Sequence, residues 1–374
     1  MEKIKKVSPG KWFSDKLLRW NKQKNVREMP WKGEKDPYKI WLSEIILQQT
    51  RVEQGLNYYH RFIEAFPDVN KLAKASDQKV FKLWEGLGYY SRCRNLLATA
   101  RHISRDRKGK FPDSFDEIKA LKGVGPYTAA AISSFAYNLP YAVVDGNVFR
   151  VLSRVFGIKT STDSTEGKKY FTQLANELIN KKQPGIYNQA IMDFGAVICK
   201  PALPLCNECV FNKTCYAFLN NKIAELPVKK KKINMRERWF YYLVITFEGK
   251  VAVRQRVAKD IWQQLYEFPL IETTEDKAIR DILKKAEKEK WLTSKAYTLT
   301  GESVFYKQQL SHQVIRGKFI AVNSSFLPKG NDWLWVPESK LQEYPFPQLI
   351  NQYRQESLRN TAGKSKIFHS AKKN

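Results

Sequence analysis

Several things are scarce in these 374 residues. There is no run of 18 apolar residues, so no stretch has the length and character of a membrane-spanning helix. The N-terminus lacks the apolar core of a secretory signal. These absences predict a soluble, cytoplasmic chain with no membrane partner. Cysteine is rare: five in all, four of them crowded between 199 and 215, which is not the spread of a secreted disulfide framework. Acidic residues are outnumbered, 37 against 65 Lys and Arg, for a formal net charge of +28. The excess is shared, with 37 basic and 22 acidic residues in 1–227 and 28 and 15 in the remainder. This excludes a neutral enzyme with a basic tail. Such a field favours a polyanion, and 13% aromatic content suits base stacking. An anionic membrane surface would attract the same charge. No internal repeat is present.

Residues 1–30 are basic and carry a helical pattern from Pro9 to about Lys24, closed by Met29-Pro30-Trp31. Asp36-Pro37 opens the next helix, with Asp36 as cap and Pro37 where a missing N–H costs nothing. From Tyr38 to about Thr50 that helix is apolar nearly all round: Ile40, Trp41, Leu42, Ile45, Ile46, Leu47. All-round apolarity predicts burial. Glu44 sits in its middle. A buried carboxyl resists ionisation, so it should hold a proton near neutrality, as a general acid must. A Glu paired with a buried Lys or Arg would leave the same mark. Helical patterns continue over 52–66, 76–85 and 92–105. Between the last two lies Gly86-Leu87-Gly88-Tyr89-Tyr90-Ser91-Arg92, a loop whose tyrosines could wedge into a base stack or simply pack.

The stretch from Phe115 to Phe149 is the most informative. A short helix, Phe115–Leu121, leads into Lys122-Gly123-Val124-Gly125, and Pro126 opens a second helix. Glycines let backbone N–H groups face outward beside a helix N-terminus, which makes an anion site. Helix–turn–helix packing for stability alone is the other reading. Val144-Asp145-Gly146-Asn147-Val148 follows, then helical patterns over 147–156, 165–180 and 185–198. The first 227 residues thus read as all-α.

Cys199-x6-Cys206-x2-Cys209-x5-Cys215 comes next. Four thiols in one short loop predict a metal or cluster site. Tetrahedral zinc usually takes two close pairs, and only one exists here. Cys93 reads as packing. The lysines 229–232 sit in a solvated linker, 228–238. The pattern then changes to strands. Residues 239–247 and 251–254 flank the hairpin signal Glu248-Gly249. Residues 275–290 read as a charged helix, 304–310 and 313–322 as strands meeting at Ser311-His312, and 333–336 as a short strand. This is an α+β domain, 239–355, followed by a basic, polar tail, 356–374, expected to be disordered.

Taken together, Trp41 to Thr50, Gly86 to Tyr90, Leu121 to Ala129, Val144 to Val148 and the four-cysteine loop resemble the A/G-mismatch-specific adenine DNA glycosylases, the MutY family. The resemblance covers roughly residues 10–350. It implies an all-α helix–hairpin–helix DNA glycosylase domain over 1–227, with six-helix barrel and cluster subdomains. It also implies a [4Fe–4S] cluster held by Cys199, Cys206, Cys209 and Cys215, and an α+β Nudix-like C-terminal domain. The implied partner is double-stranded DNA containing A:8-oxoguanine or A:G mispairs. The implied protein is a monomer working at the nucleoid of a bacterial cell.

Carried over residue by residue, the resemblance implies that Trp31 and Gln189 line the pocket for a flipped adenine. Glu44 would protonate adenine N7, and Asp145 would stay ionised to meet the sugar cation. Tyr127 and Asn147 would orient Asp145 and the water. Gln49 and Tyr89 would fill the stack beside the oxoguanine, and the N–H groups of Gly123 and Gly125 would hold a phosphate. Bifunctional relatives carry a lysine where Tyr127 stands. Tyrosine forms no Schiff base, so base removal without efficient strand scission is expected.

Two departures stand out. The recognition loop reads Leu310-Ser311-His312 where the family often has Phe-Ser-His, which predicts weaker discrimination of oxoguanine from guanine. Gln263-Gln264 occupies places where glycines are common, and no acidic Nudix box follows Pro269. Two rival readings are an oxidised-pyrimidine glycosylase of the endonuclease III type and a non-catalytic iron–sulfur DNA-binding protein.

Overall fold

The computed structural model of the chain describes residues 9–230, 235–327 and 332–370. They divide by packing into two units, one of residues 9–75 and 94–230, the other of residues 76–93 and 235–370. The division corrects the sequence-based boundary in one place. Residues 76–93 lie inside the expected helical domain, yet they pack with the C-terminal unit. Polar bonds tie them to it. Glu85 Oε1 accepts from Phe346 N at 2.8 Å and Asn351 Nδ2 at 2.9 Å. Lys82 Nζ donates to the Tyr344 carbonyl at 3.2 Å.

The helices, in chain order, are α1 (Pro9–Lys24), α2 (Pro37–Leu47), α3 (Val52–Ala65), α4 (Val69–Lys74), α5 (Asp77–Trp84), α6 (Tyr90–Asp106), α7 (Phe115–Ala120), α8 (Pro126–Tyr137), α9 (Gly146–Phe156), α10 (Thr165–Leu178), α11 (Pro184–Val197) and α12 (Tyr216–Leu219). Helix α2 starts as expected, with the Asp36 carboxyl accepting from Tyr38 N at 2.9 Å and Pro37 in the first turn. It stops short of the predicted Thr50, and Gln49 adopts φ 55°. Helices α4 and α12 are too short for a hydrophobic period to announce them. Helix α4 is instead set by Asp68, whose side chain caps Asn70 N and Lys71 N.

The core of the helical unit gathers Phe13 and Trp20 of α1, Val151 and Leu152 of α9, Phe171 of α10, Phe194 of α11 and Phe211, all buried. Phe13 stacks on Phe211 at 4.7 Å, and Trp20 meets Phe194 edge-on at 4.9 Å. Each such ring withdrawn from water contributes about 2–3 kcal/mol relative to an exposed one.

The second unit is a mixed sheet between helices. Its strands are β1 (Arg236–Phe247), β2 (Lys250–Gln255), β3 (Tyr266–Glu267), β4 (Leu270–Thr273), β5 (Tyr297–Glu302), β6 (Tyr306–Gln309), β7 (Gln313–Ser324) and β8 (Leu334–Pro337), with α13 (Ile279–Lys288) and α14 (Gln348–Ser370). The main path runs β3-β2-β1-β7-β5. Strands β1 and β7 are parallel from Arg236↔Gln313 to Thr246↔Asn323, and the other pairs are antiparallel. Alternation along β1 feeds both faces. Tyr241, Leu243 and Ile245 meet Ile282 and Ala286 of α13. On the other face Tyr242 stacks on Phe319, which stacks in turn on Tyr353 of α14 at 4.0 Å.

The Glu248-Gly249 hairpin forms, with φ 46° and 72°, the double positive φ of a type I′ turn. Helix α13 is shorter than the expected 275–290. The Tyr241 hydroxyl donates to Asp276 and accepts from Lys277 N, which holds those residues outside the helix. Strand β5 was not foreseen: Tyr-Thr-Leu-Thr-Gly-Glu is largely exposed and shows no alternation. The expected disordered tail is helical through Ser370, as α14; residues 371–374 lie outside the described residues, as do 231–234 of the expected linker.

Candidate active site

Six helices of the first unit, α1, α2, α3, α8, α9 and α11, and the loop after α1 line a cavity of about 790 Å³. Its walls include Trp31, Glu44, Gln49, Tyr127, Asp145, Asn147 and Gln189. Seven of the residues named from the sequence therefore meet in one place, although 158 positions separate the first from the last.

Glu44 reaches the cavity from the middle of α2 and is 9% exposed. Burial lifts its pKa to about 7, opposed by a hydrogen bond with Tyr127 and reinforced by the nearby charge of Asp145. No Lys or Arg pairs with it among the described residues, so the salt-bridge alternative falls away. Tyr127 opens α8 directly after Pro126. Its hydroxyl serves Glu44 and lies 3.6 Å from Met192 Sδ. Burial beside two carboxyls keeps it protonated, so it remains a donor. The sequence reading had Tyr127 orienting Asp145; both Glu44 and Asp145 bear on its hydroxyl.

Asp145 is the cap of α9. Oδ1 accepts from Val148 N and Oδ2 from Asn147 Nδ2, each at 2.8 Å. Burial raises its pKa above the usual range, while the Val148 and Asn147 donors and the charge of Arg150 oppose that rise. Hydrogen bonds donated to a carboxylate favour its charged form. Asn147 is fixed in turn by Arg150, whose Nη2 donates to Asn147 Oδ1 at 2.8 Å and to the Gly195 carbonyl at 2.7 Å. Gly195 must be glycine, because a Cβ there would sit 2.6 Å from Asn147 Cβ. The two carboxyls thus differ in kind: one has burial and a single hydroxyl, the other has dedicated anion donors.

The hairpin lies elsewhere in the same unit. Gly123 takes φ 79°, and its missing Cβ would fall 2.6 Å from Asn95 Cβ. Gly125 caps α8. Neither glycine N–H donates to a described protein group, which leaves both for an anion.

In the second unit, Tyr89 is 45% exposed with φ 48°, and its hydroxyl hydrogen-bonds Ser311 Oγ. Tyr90 is buried against Phe81, so one tyrosine of the pair packs and the other is presented. His312 is exposed in the turn that joins β6 to β7. Gln264, where the family favours glycine, adopts φ 73°, which explains that preference.

Cys199, Cys206, Cys209 and Cys215 line one small cavity with Arg154, and all four are free thiols. Burial pushes the Cys209 thiol up to about 12 and raises Cys206 and Cys215 as well. Burial thus favours the protonated thiols over bare thiolates. Phe211 N donates to Cys209 Sγ at 3.4 Å, and Arg154 Nη1 to Cys199 Sγ at 3.6 Å. Among the described residues no three His, Cys, Asp or Glu side chains are arranged around a single metal ion. Cys93 is buried packing.

Sequence reasoning missed Arg150 and Arg154, buried at 8% and 4%. Arg154 satisfies the carbonyls of Leu226, Lys200, Pro201 and Ile223. It also missed Asp193, fully buried on α11. A carboxyl inside the apolar run Ala190–Val197 is the signal that exposed Glu44, and it was available here too.

Two family models match the chain: the HhH-GPD superfamily base excision DNA repair protein over residues 42–181 and the NUDIX domain over 240–356. An adenine DNA glycosylase of Buchnera aphidicola subsp. Baizongia pistaciae is 36% identical, over 69% of this chain and 73% of that protein. The adenine DNA glycosylase of Buchnera aphidicola subsp. Acyrthosiphon pisum is 29% identical, over 93% of this chain and 98% of that protein. Among solved structures, a thermostable thymine-DNA glycosylase aligns with TM-score 0.53 at 29% identity, over 56% of this chain and 97% of its own.

Proposed function

This chain belongs to the adenine DNA glycosylase family, and from that premise we propose that it flips adenine from an A:8-oxoguanine or A:G mispair and hydrolyses its N-glycosidic bond. The observation that carries the reading is the pairing, in one cavity, of a carboxyl that keeps its proton to about pH 7 with a carboxyl supplied with anion donors.

The chemistry follows from that difference. Extruding the base costs a few kcal/mol of stacking and pairing. Glu44 gives its proton to adenine N7, so the C1′–N9 bonding pair can leave with a neutral base. Asp145, charged, faces the sugar cation until water adds to C1′. Tyr127 supports Glu44 as a donor and offers no amine for a Schiff base, so the product is an intact strand lacking one base. Trp31 and Gln189 hold the base. Gln49 and Tyr89 fill the stack it leaves, Ser311 and His312 read the oxoguanine, and the free N–H groups of Gly123 and Gly125 grip a phosphate. The protein acts as a monomer.

Cys199, Cys206, Cys209 and Cys215 would hold a [4Fe–4S] cluster, whose part is to cross-link the loop 199–215. Four thiols around one cavity, with only one close pair in the loop, favour a cluster over zinc.

The deciding experiment is base release from duplexes with adenine opposite oxoguanine, guanine and cytosine, each developed with and without alkali. Cleavage at adenine that needs alkali, fastest opposite oxoguanine, is expected. Release of thymine glycol but not adenine would point to the endonuclease III type of enzyme instead.

A further inference from the structure

Helix α11 carries a carboxyl that the chemistry above leaves unused. Asp193 is 0% exposed and lies four residues beyond Gln189, on the same helix face. Its Oδ1 accepts from Gln189 Nε2 and from Arg27 Nη1, both at 2.9 Å. Its Oδ2 accepts from Asn25 Nδ2 at 2.8 Å and from Lys32 Nζ at 3.4 Å. Four donors occupy the two oxygens, and Arg27 and Lys32 balance the charge. Gln189, Arg27 and Lys32 all line the cavity that holds Glu44 and Asp145.

An ionised carboxylate only accepts hydrogen bonds. It therefore decides which end of the Gln189 amide faces it, and that end is the NH₂. The amide oxygen is left on the opposite side, with no described residue donating to it. Without Asp193 the two ends of the amide would be nearly equivalent, and the side chain could offer either a donor or an acceptor to whatever enters.

We propose that Asp193 is a positioning residue for base selectivity: by pinning the Gln189 amide, it turns Oε1 toward the base and so selects a purine with an amino group at ring position six over one with a carbonyl there. The proposal rests on the reading of this cavity as the site of the flipped adenine. Adenine's exocyclic amine can donate to Oε1. Hypoxanthine places a carbonyl oxygen at the same point, and two acceptors facing each other in a dry site are both left unpaired.

The test measures single-turnover release of adenine and of hypoxanthine, each opposite guanine, by the full-length protein. Asp193→Asn replaces a pure acceptor with a side chain that can also donate, which frees the Gln189 amide to turn. The adenine-to-hypoxanthine rate ratio should fall by at least about tenfold. Gln189→Ala, which leaves the ion pairs of Asp193 in place, should lower the ratio similarly. The double variant should lower it no further than Gln189→Ala alone, because residues that act through one another are not additive. A wild-type ratio in Gln189→Ala overturns the proposal even if Asp193→Asn does not fold. So does an Asp193→Asn protein that folds and keeps the ratio, or a double variant that falls well below Gln189→Ala. Wild-type protein that releases neither base would instead sink the glycosylase reading itself.

Discussion

Glu44 and Asp145 open into one cavity, from the middle of α2 and the cap of α9; burial raises the pKa of Glu44 and the charge of Asp145 adds to the rise. Asp145 can keep its charge because Val148 N and Asn147 Nδ2 each donate to it at 2.8 Å. Glu44 has burial and one tyrosine hydroxyl. The two side chains differ by a single methylene, so their surroundings set the difference between them.

Glu44→Gln keeps the volume and a partner for Tyr127 but removes the proton. Adenine release should fall by about 10²–10⁴-fold, with duplex binding little changed. In the unmodified protein, release should decline as pH rises through about 7, where Glu44 ionises. Single-turnover rates across pH check both points; turnover retained in the variant would remove Glu44 from the role of acid.

The same shift has a stability signature. In the folded protein Glu44 holds its proton to about pH 7, against an ordinary value of 4.5. The folded state thus binds more protons than the unfolded chain across that window, and stability falls as pH rises through it. Glu44→Gln escapes the loss. Its stability relative to the unmodified protein should improve between pH 5 and pH 8 by on the order of 3 kcal/mol. Denaturation midpoints at the two pH values measure it, and a difference independent of pH would contradict the assigned burial.

Tyr127→Lys places an amine one residue into α8, beside Glu44 in the same cavity. A buried lysine readily loses its proton and can attack the sugar carbon. The variant should gain strand nicking and a borohydride-trapped DNA adduct, both visible on a denaturing gel. Absence of the adduct would show that this position does not face C1′.

The two hairpin glycines should respond differently to a methyl group. Gly123→Ala meets a φ of 79° and a Cβ contact of 2.6 Å with Asn95, so stability should drop by about 1–3 kcal/mol. Duplex affinity should fall with it. Gly125→Ala faces open space and should fold normally. Melting curves and binding isotherms at several salt concentrations separate the two effects; affinity unchanged in Gly123→Ala would argue against a phosphate there.

Much of the site was legible because its signals are local. Asp36-Pro37 caps a helix, Gly123-Val124-Gly125-Pro126 turns between two, and a lone Glu in an apolar helix must be buried. Asp193 carries the same kind of signal in α11. It was not singled out because its charged partners, Arg27 and Lys32, lie 166 and 161 residues away, beyond any periodicity. Tyr127 was placed in the right cavity, but its closeness to Glu44 as well as Asp145 could not be read, since spacing along the chain says nothing of which groups a hydroxyl meets.

The sequence alone determined the helix starts, the hairpin, the four thiols in one loop and the presence of two carboxyls in intact motifs, because each depends on neighbours a few residues apart. Which donors serve Asp145, which end of the Gln189 amide meets Asp193 and where residues 76–93 pack were decided by the tertiary structure alone. Desolvation and hydrogen-bond donors act through space, and the groups that supply them are brought together only when the chain has folded.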